Sequence, residues 1–134
     1  MTLIYITGVP GTGKSTVRQE LLQRGYIALG GAEDHLAAFY DNRTGDRIGR
    51  WIPVHERTPE WSAKHTWKIT RDTLEKLKAS DPNNLVFVCA TTANDVTELW
   101  DLFDKKIALT IDEVTLRHRL ATRTNNDVGK EQAN

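Results

Sequence analysis

The stretch Gly8-Val9-Pro10-Gly11-Thr12-Gly13-Lys14-Ser15-Thr16 holds the residue types and spacing in this chain that can do chemistry. It fits the phosphate-loop pattern G-x-x-x-x-G-K-[ST] at every fixed position. Gly8, Gly11 and Gly13 let the backbone take positive φ, so that N–H groups approach phosphate oxygens with no Cβ in the way. Lys14 would reach the β- and γ-phosphates as a point charge, and the Ser15 hydroxyl would ligate Mg²⁺. Thr12 belongs to the same loop, and Thr16 falls in the first helical turn with a minor ligand role. The pattern therefore predicts binding of a nucleoside triphosphate; the bland alternative is a Gly-rich turn carrying a surface lysine.

A phosphate loop works only if a strand delivers it and a helix leaves it. Leu3-Ile4-Tyr5-Ile6 reads as a buried parallel strand, and Val17, Leu21 and Leu22 give the next segment an apolar helical face ending at Gly25. Tyr26 to Leu29 reads as a second strand, and this alternation predicts an α/β fold with a parallel sheet. Ligands of such sheets sit beyond the carboxyl ends of the strands. Glu33 and Asp34 follow the second strand, where a carboxylate can hold Mg²⁺ through water or take the proton of an acceptor hydroxyl. Alternatively, they only favour the start of a helix over His35 to Tyr40.

Tyr40 to Asp46 reads as a loop or hairpin tip. Arg47, Arg50, Trp51, His55 and Arg57 then follow without periodicity, and they suit recognition of an anionic or planar acceptor. Arg57 is the strongest candidate among them, since it precedes a marked helix start at Thr58-Pro59-Glu60. Trp67, Thr70, Leu74 and Leu77 fall on one stripe of that helix, which puts Trp67 in the core and leaves His65 at the surface or partly buried.

Asp81-Pro82-Asn83-Asn84 ends the helix, and Leu85 to Cys89 reads as a central strand with Cys89 as a small buried hydrophobe. Many phosphate-loop enzymes place an aspartate at this strand end, whereas here Ala90-Thr91-Thr92-Ala93-Asn94 comes first. Thr91, Thr92 or Asn94 can contact the metal's water shell or the acceptor, while Asn94 and Asp95-x-x-Glu98 suit the cap of the next helix. Val96, Leu99, Trp100 and Phe103 have the spacing of a helix on the sheet, with Trp100 in the core. Ile107 to Ile111 reads as the fourth strand, and Asp112 caps a last helix to about Thr122 with Leu116 and Leu120 inward. Arg119 and Arg123 are four residues apart, and the remainder is polar.

The chain has 134 residues and balances 18 basic against 18 acidic side chains. That length predicts one domain. Zero net charge argues against a nucleic-acid partner, and the absence of a long apolar run argues against a membrane. One cysteine excludes an internal disulfide framework. Together these features suit a soluble cytoplasmic protein.

With these residues in place, the chain resembles the small phosphate-loop kinases, the group of adenylate, shikimate and gluconate kinases. The resemblance rests on Gly8 to Thr16 and on Arg119-Leu120-Ala121-Thr122-Arg123, which is similar to the R-x-x-x-R that opens the family's lid. It implies a three-layer α/β phosphate-loop fold of the nucleoside monophosphate kinase type, with ATP and Mg²⁺ as cofactors. It further implies transfer of the γ-phosphoryl group to a small hydroxyl or phosphate acceptor.

By the same resemblance, Arg119 packs on the nucleotide base. The resemblance also puts Arg123 on the transferring group and Asp34 beside the acceptor. The loop pattern and the residues' own places add Lys14 on the transferring group, Ser15 and Glu33 for the metal, and Arg57 for the acceptor. The segment from about Gly31 to Arg57 is the acceptor region, and about 119–134 starts the lid. The chain stops short of the helix and fifth strand usual in this group, so the expectation is a fold lacking both, with an open sheet edge prone to self-association. The rival reading is a nucleotide-binding module with only slow NTPase turnover.

Overall fold

The computed structural model describes residues 1–9, 12–110 and 113–122. The expectations for Gly11, Asp112 and Arg123, and for the side chains of Leu116, Arg119 and Leu120, lie outside what is described. The chain runs β1 (Thr2–Thr7), α1 (Lys14–Gln23), β2 (Ile27–Gly30), β3 (Ala38–Asp41), α2 (Pro59–Lys64), β4 (His65–Lys68), α3 (Arg71–Ser80), β5 (Leu85–Cys89), β6 (Lys105–Ala108) and α4 (Glu113–Thr122). A parallel sheet in the order β2-β5-β1-β6 carries the phosphate loop, and a separate antiparallel pair joins β3 to β4.

The expected α/β architecture is present. β5 occupies the predicted residues and sits between β2 and β1, with Ile6 opposite Cys89 and Gly30 opposite Cys89 on the other side. Its apolar run is what a strand flanked on both edges and covered on both faces requires. Leu3, Tyr5, Val86 and Val88 are buried, and they pack with Ile69, Leu74, Leu99 and Phe103 into the core. The Tyr5 ring stacks on Phe103 at 4.4 Å between centroids. Gly25 ends α1 in the left-handed region at φ 87, as expected of a glycine there. β6 begins earlier than expected, because Lys105–Ala108 pairs with Ile4–Thr7. All of its residues are exposed, and among the described residues it pairs with β1 alone.

Three expected helices are different in the structure. His35 to Tyr40 forms a turn followed by β3. The Asp34 carboxylate accepts from Gly30 N–H at 2.6 Å, Ala37 N–H donates to Gly31 O, and His35 takes φ 57, so the chain leaves the turn extended. From Ala38 the residues alternate between buried and half-buried, which is a strand period. The hairpin tip after it is as expected, closed by Gly45 N–H on Asp41 O.

The helix started by Thr58 also stops early. Thr58 Oγ1 does cap it, accepting from Trp61 N–H, but His65–Lys68 then pairs with β3. A second cap follows, with Thr70 Oγ1 accepting from Thr73 N–H to start α3. β-branched Thr66, Ile69 and Thr70 around Trp67 suit this extended break. Trp67 still reaches the core, now from a strand.

The third segment, Asp95–Leu99 and Trp100–Leu102, is a single π turn followed by a 3₁₀ turn. Leu99 and Phe103 are buried, but Val96 is exposed and Trp100 sits at the rim at 37% exposure, not in the core. The capping box does not form, because Asp95 Oδ2 is taken by the Tyr5 hydroxyl at 3.0 Å. Asn94 turns inward to donate to Ile69 O at 2.7 Å.

Candidate functional site

β1 ends at Thr7, α1 begins at Lys14, and the loop between them lies at the carboxyl edge of the parallel sheet. Gly13 precedes the helix in the left-handed region at φ 99, a conformation that favours glycine. Gly8 is needed for a different reason. A Cβ there would meet Thr12 Oγ1 at 2.5 Å and Leu109 O at 3.0 Å, so the bare backbone lets the loop close on the end of β6. Thr12 Oγ1 in turn donates to Val9 O at 2.8 Å.

The first turn of α1 has no side-chain cap and no acidic residue. Its N–H groups and dipole are therefore arranged for an anion. Lys14 Nζ donates to the carbonyls of Gly8 and Val9, which holds the cation over the loop. Ser15 follows in the same turn. This donor set fits a triphosphate, and Ser15 is the hydroxyl of that turn that would hold a metal on it. The described residues contain no metal-holding cluster of three or more His, Cys, Asp or Glu, and Mg²⁺ at phosphate sites commonly takes most of its ligands from phosphate and water.

The neighbouring strand ends complete the edge. Thr91, after β5, donates to Gly8 O and lies 3.4 Å from Thr7 Oγ1. Glu33 folds back over Gly30, where a Cβ would come within 1.9 Å of its Oε2. Burial pushes the Cys89 thiol up to about 11; the positive charges of Arg18 and Lys14 moderate the rise and the Glu33 carboxylate adds to it. The thiol is thus inert at neutral pH, and those charges surround the end of β5.

Asp34 sits on Arg18 of α1 at 3.2 Å. Its Oδ2 is shared by Arg18 and Gly30 N–H, while among the described residues Oδ1 accepts no hydrogen bond. Arg18 is a contributor that the sequence reading missed; its place one turn after Lys14 was the available signal.

The segment after β2 is brought against this edge by its backbone. Gly31 N–H donates to Cys89 O, and a Cβ on Gly31 would touch those of Ala90 and Ala37. Beyond Gly31, an open pocket is lined by Ala32, His35, Ala37, Ala38, Arg47, Ile48, Gly49, Arg50, Trp51 and Trp67. Arg57 is not among them. Its guanidinium lies 4.7 Å from the Trp51 ring and 5.1 Å from Phe39, and its Nε donates to Ile52 O at 2.8 Å. It braces the wall from behind. Arg47, Arg50 and Trp51 line the pocket, in keeping with their reading as recognition residues; His35 and Gly49 line it too, and sequence reasoning did not single them out because their placement depends on the turn at Asp34.

A family model described as an AAA domain matches residues 4–134. The chain belongs to that family. No curated protein matches it. The AAA domain here is a phosphate-loop, nucleotide-binding protein with a mainly parallel sheet. Its described residues contain no helix long and apolar enough to cross a membrane.

Proposed function

We propose that the chain is an ATP-dependent phosphotransferase that moves the γ-phosphoryl group to a small-molecule acceptor. The observation that carries this reading is the shared edge: the phosphate loop after β1 and the pocket after β2 flank the end of β5. A nucleotide and a second molecule can thus meet there. In this reading Lys14, the loop N–H groups, Gly8, Gly11, Thr12, Gly13 and Thr16 hold the phosphates. Ser15, with Glu33 through water, holds Mg²⁺. Arg119 packs on the base and Arg123 neutralises charge on the transferring group. A metaphosphate-like transfer needs positioning and charge stabilisation more than covalent help. Bound Mg²⁺ supplies charge neutralisation on the phosphates.

Asp34 orients the acceptor hydroxyl or takes its proton, using Oδ1 while Arg18 and Gly30 fix Oδ2. Arg57 serves the acceptor by holding Trp51 in place. The setting is cytoplasmic, where ATP and Mg²⁺ are plentiful.

The test is ATP consumption with Mg²⁺, with and without a panel of nucleosides, nucleoside monophosphates and hydroxy acids. One acceptor should stimulate turnover, and Asp34→Asn should cut the stimulated rate at least tenfold while sparing ATP affinity. An unchanged rate in that variant would remove Asp34 from the reaction. A specific observation favours a second reading, a nucleotide-binding module with slow NTPase activity. The end of β5 carries Cys89-Ala90-Thr91-Thr92 and no carboxylate. ATP binding with no acceptor-stimulated turnover would select it.

A further inference from the structure

We infer that the pocket beyond Gly31 takes an acceptor that joins a flat ring to an anionic group, with Arg47 as the residue that selects the anion. The inference rests on the phosphotransferase reading for the word acceptor, but its binding claim stands on the pocket alone. Trp51 and Trp67 meet at 88° with centroids 5.5 Å apart, which makes an apolar corner. Arg57 stacked behind Trp51 stiffens that wall. A planar ring can slide into such a corner and stack on one indole while its edge meets the other. Ala32 and Gly49 also line the pocket and add little bulk to it.

The two arginines of the pocket differ. Arg50 is paired with Glu56 at 3.0 Å, so its charge is already compensated. Arg47 has no carboxylate partner among the described residues, and its Nη2 donates to the His35 carbonyl at 2.9 Å. That carbonyl belongs to the one described non-glycine residue with positive φ. Such a conformation costs energy and persists where the surroundings demand it. Here it aims a backbone acceptor at one edge of the guanidinium. The remaining N–H donors of Arg47 form a fork suited to a carboxylate or a phosphate. A sugar acid offers the anion without the ring, and a nucleoside offers the ring without the anion.

The test is calorimetric titration of the full chain, without ATP. The probes are AMP and UMP (ring with phosphate), 3-hydroxybenzoate (ring with carboxylate), adenosine and uridine (ring alone) and gluconate (anion alone). The expected result is that a ring-bearing anion binds at least tenfold more tightly than adenosine, uridine and gluconate; which arm responds names the anion. Arg47→Gln should weaken that binding at least tenfold. Gly49→Leu should do the same by filling the pocket, since Gly49 has open space around its Cβ position and a φ outside the left-handed region. An unchanged melting temperature verifies the fold of each variant.

The inference is overturned if the neutral or ringless probes bind as tightly as the ring-bearing anions, if no probe binds, or if either variant binds like the parent. The two readings can fail separately. Binding without ATP-dependent phosphorylation would sink the phosphotransferase and leave the pocket; phosphorylation of a neutral acceptor that persists in Gly49→Leu would do the reverse.

Discussion

The parallel half of the molecule and the β3–β4 half are built on different physics. In the parallel half, β1 and β5 pair along their whole apolar lengths, and Leu3, Tyr5, Val86 and Val88 are buried. Position is set there by backbone ladders and aliphatic packing. The β3–β4 half is a short antiparallel pair whose strands are fastened by rings: Phe39 lies 4.9 Å from both Trp61 and Trp67, Trp61 stacks on His65 at 4.0 Å, and Arg57 fills the gap to Trp51. The first arrangement gives a rigid edge for a phosphate loop. The second gives a wall of exchangeable side chains around the pocket, the feature on which the proposed acceptor selection rests.

The largest effect that sharpens this contrast is expected at Trp67, which touches Phe39, Trp51 and the main core. Trp67→Ala should cost about 3 kcal/mol of stability, measured by denaturant unfolding, while the folded fraction binds ATP as before. Loss of ATP affinity in proportion to the loss of stability would show that the halves are not separable. Lys14→Ala is the converse. It should lower ATP affinity by roughly tenfold to a hundredfold, the worth of a hydrogen bond to a charged group, and leave the unfolding midpoint nearly unchanged.

A smaller effect is expected at Tyr5. Burial pushes its hydroxyl up to about 12, against about 10 for an exposed phenol. Between those values the folded state keeps a proton that the unfolded state has released, so stability should fall as pH rises through that window. Tyr5→Phe should flatten the slope, as read from melting temperatures between about pH 10 and pH 12. An unaltered slope would place the alkaline sensitivity elsewhere.

The same contrast explains what was legible in the sequence. Gly8 to Thr16 and Leu85 to Cys89 were readable because local pattern and final environment agree there. His35 to Tyr40 has helix-like composition, but the outcome was decided by Asp34 closing on Gly30 and by pairing with His65–Lys68, residues distant in the chain. Tertiary pairing overrode propensity, as it commonly does in short segments. Thr70 was a second cap that went unread because the Trp67-Leu74 stripe suggested one continuous helix. Trp100 was assigned to the core on spacing alone; the π turn rotates it to the rim, edge-on to Tyr5 at 6.5 Å and under Lys106. Within the site, the loop was legible, and the Arg47–His35 contact was not, because it depends on that same turn.

The most direct measurement follows the γ-phosphate itself. ATP labelled at that position is incubated with the protein, Mg²⁺ and the acceptor panel, and the label is traced by chromatography and mass spectrometry. The account predicts label on an organic acceptor, dependent on Lys14 and on an open pocket. Label appearing only as inorganic phosphate, whatever acceptor is supplied, would contradict it.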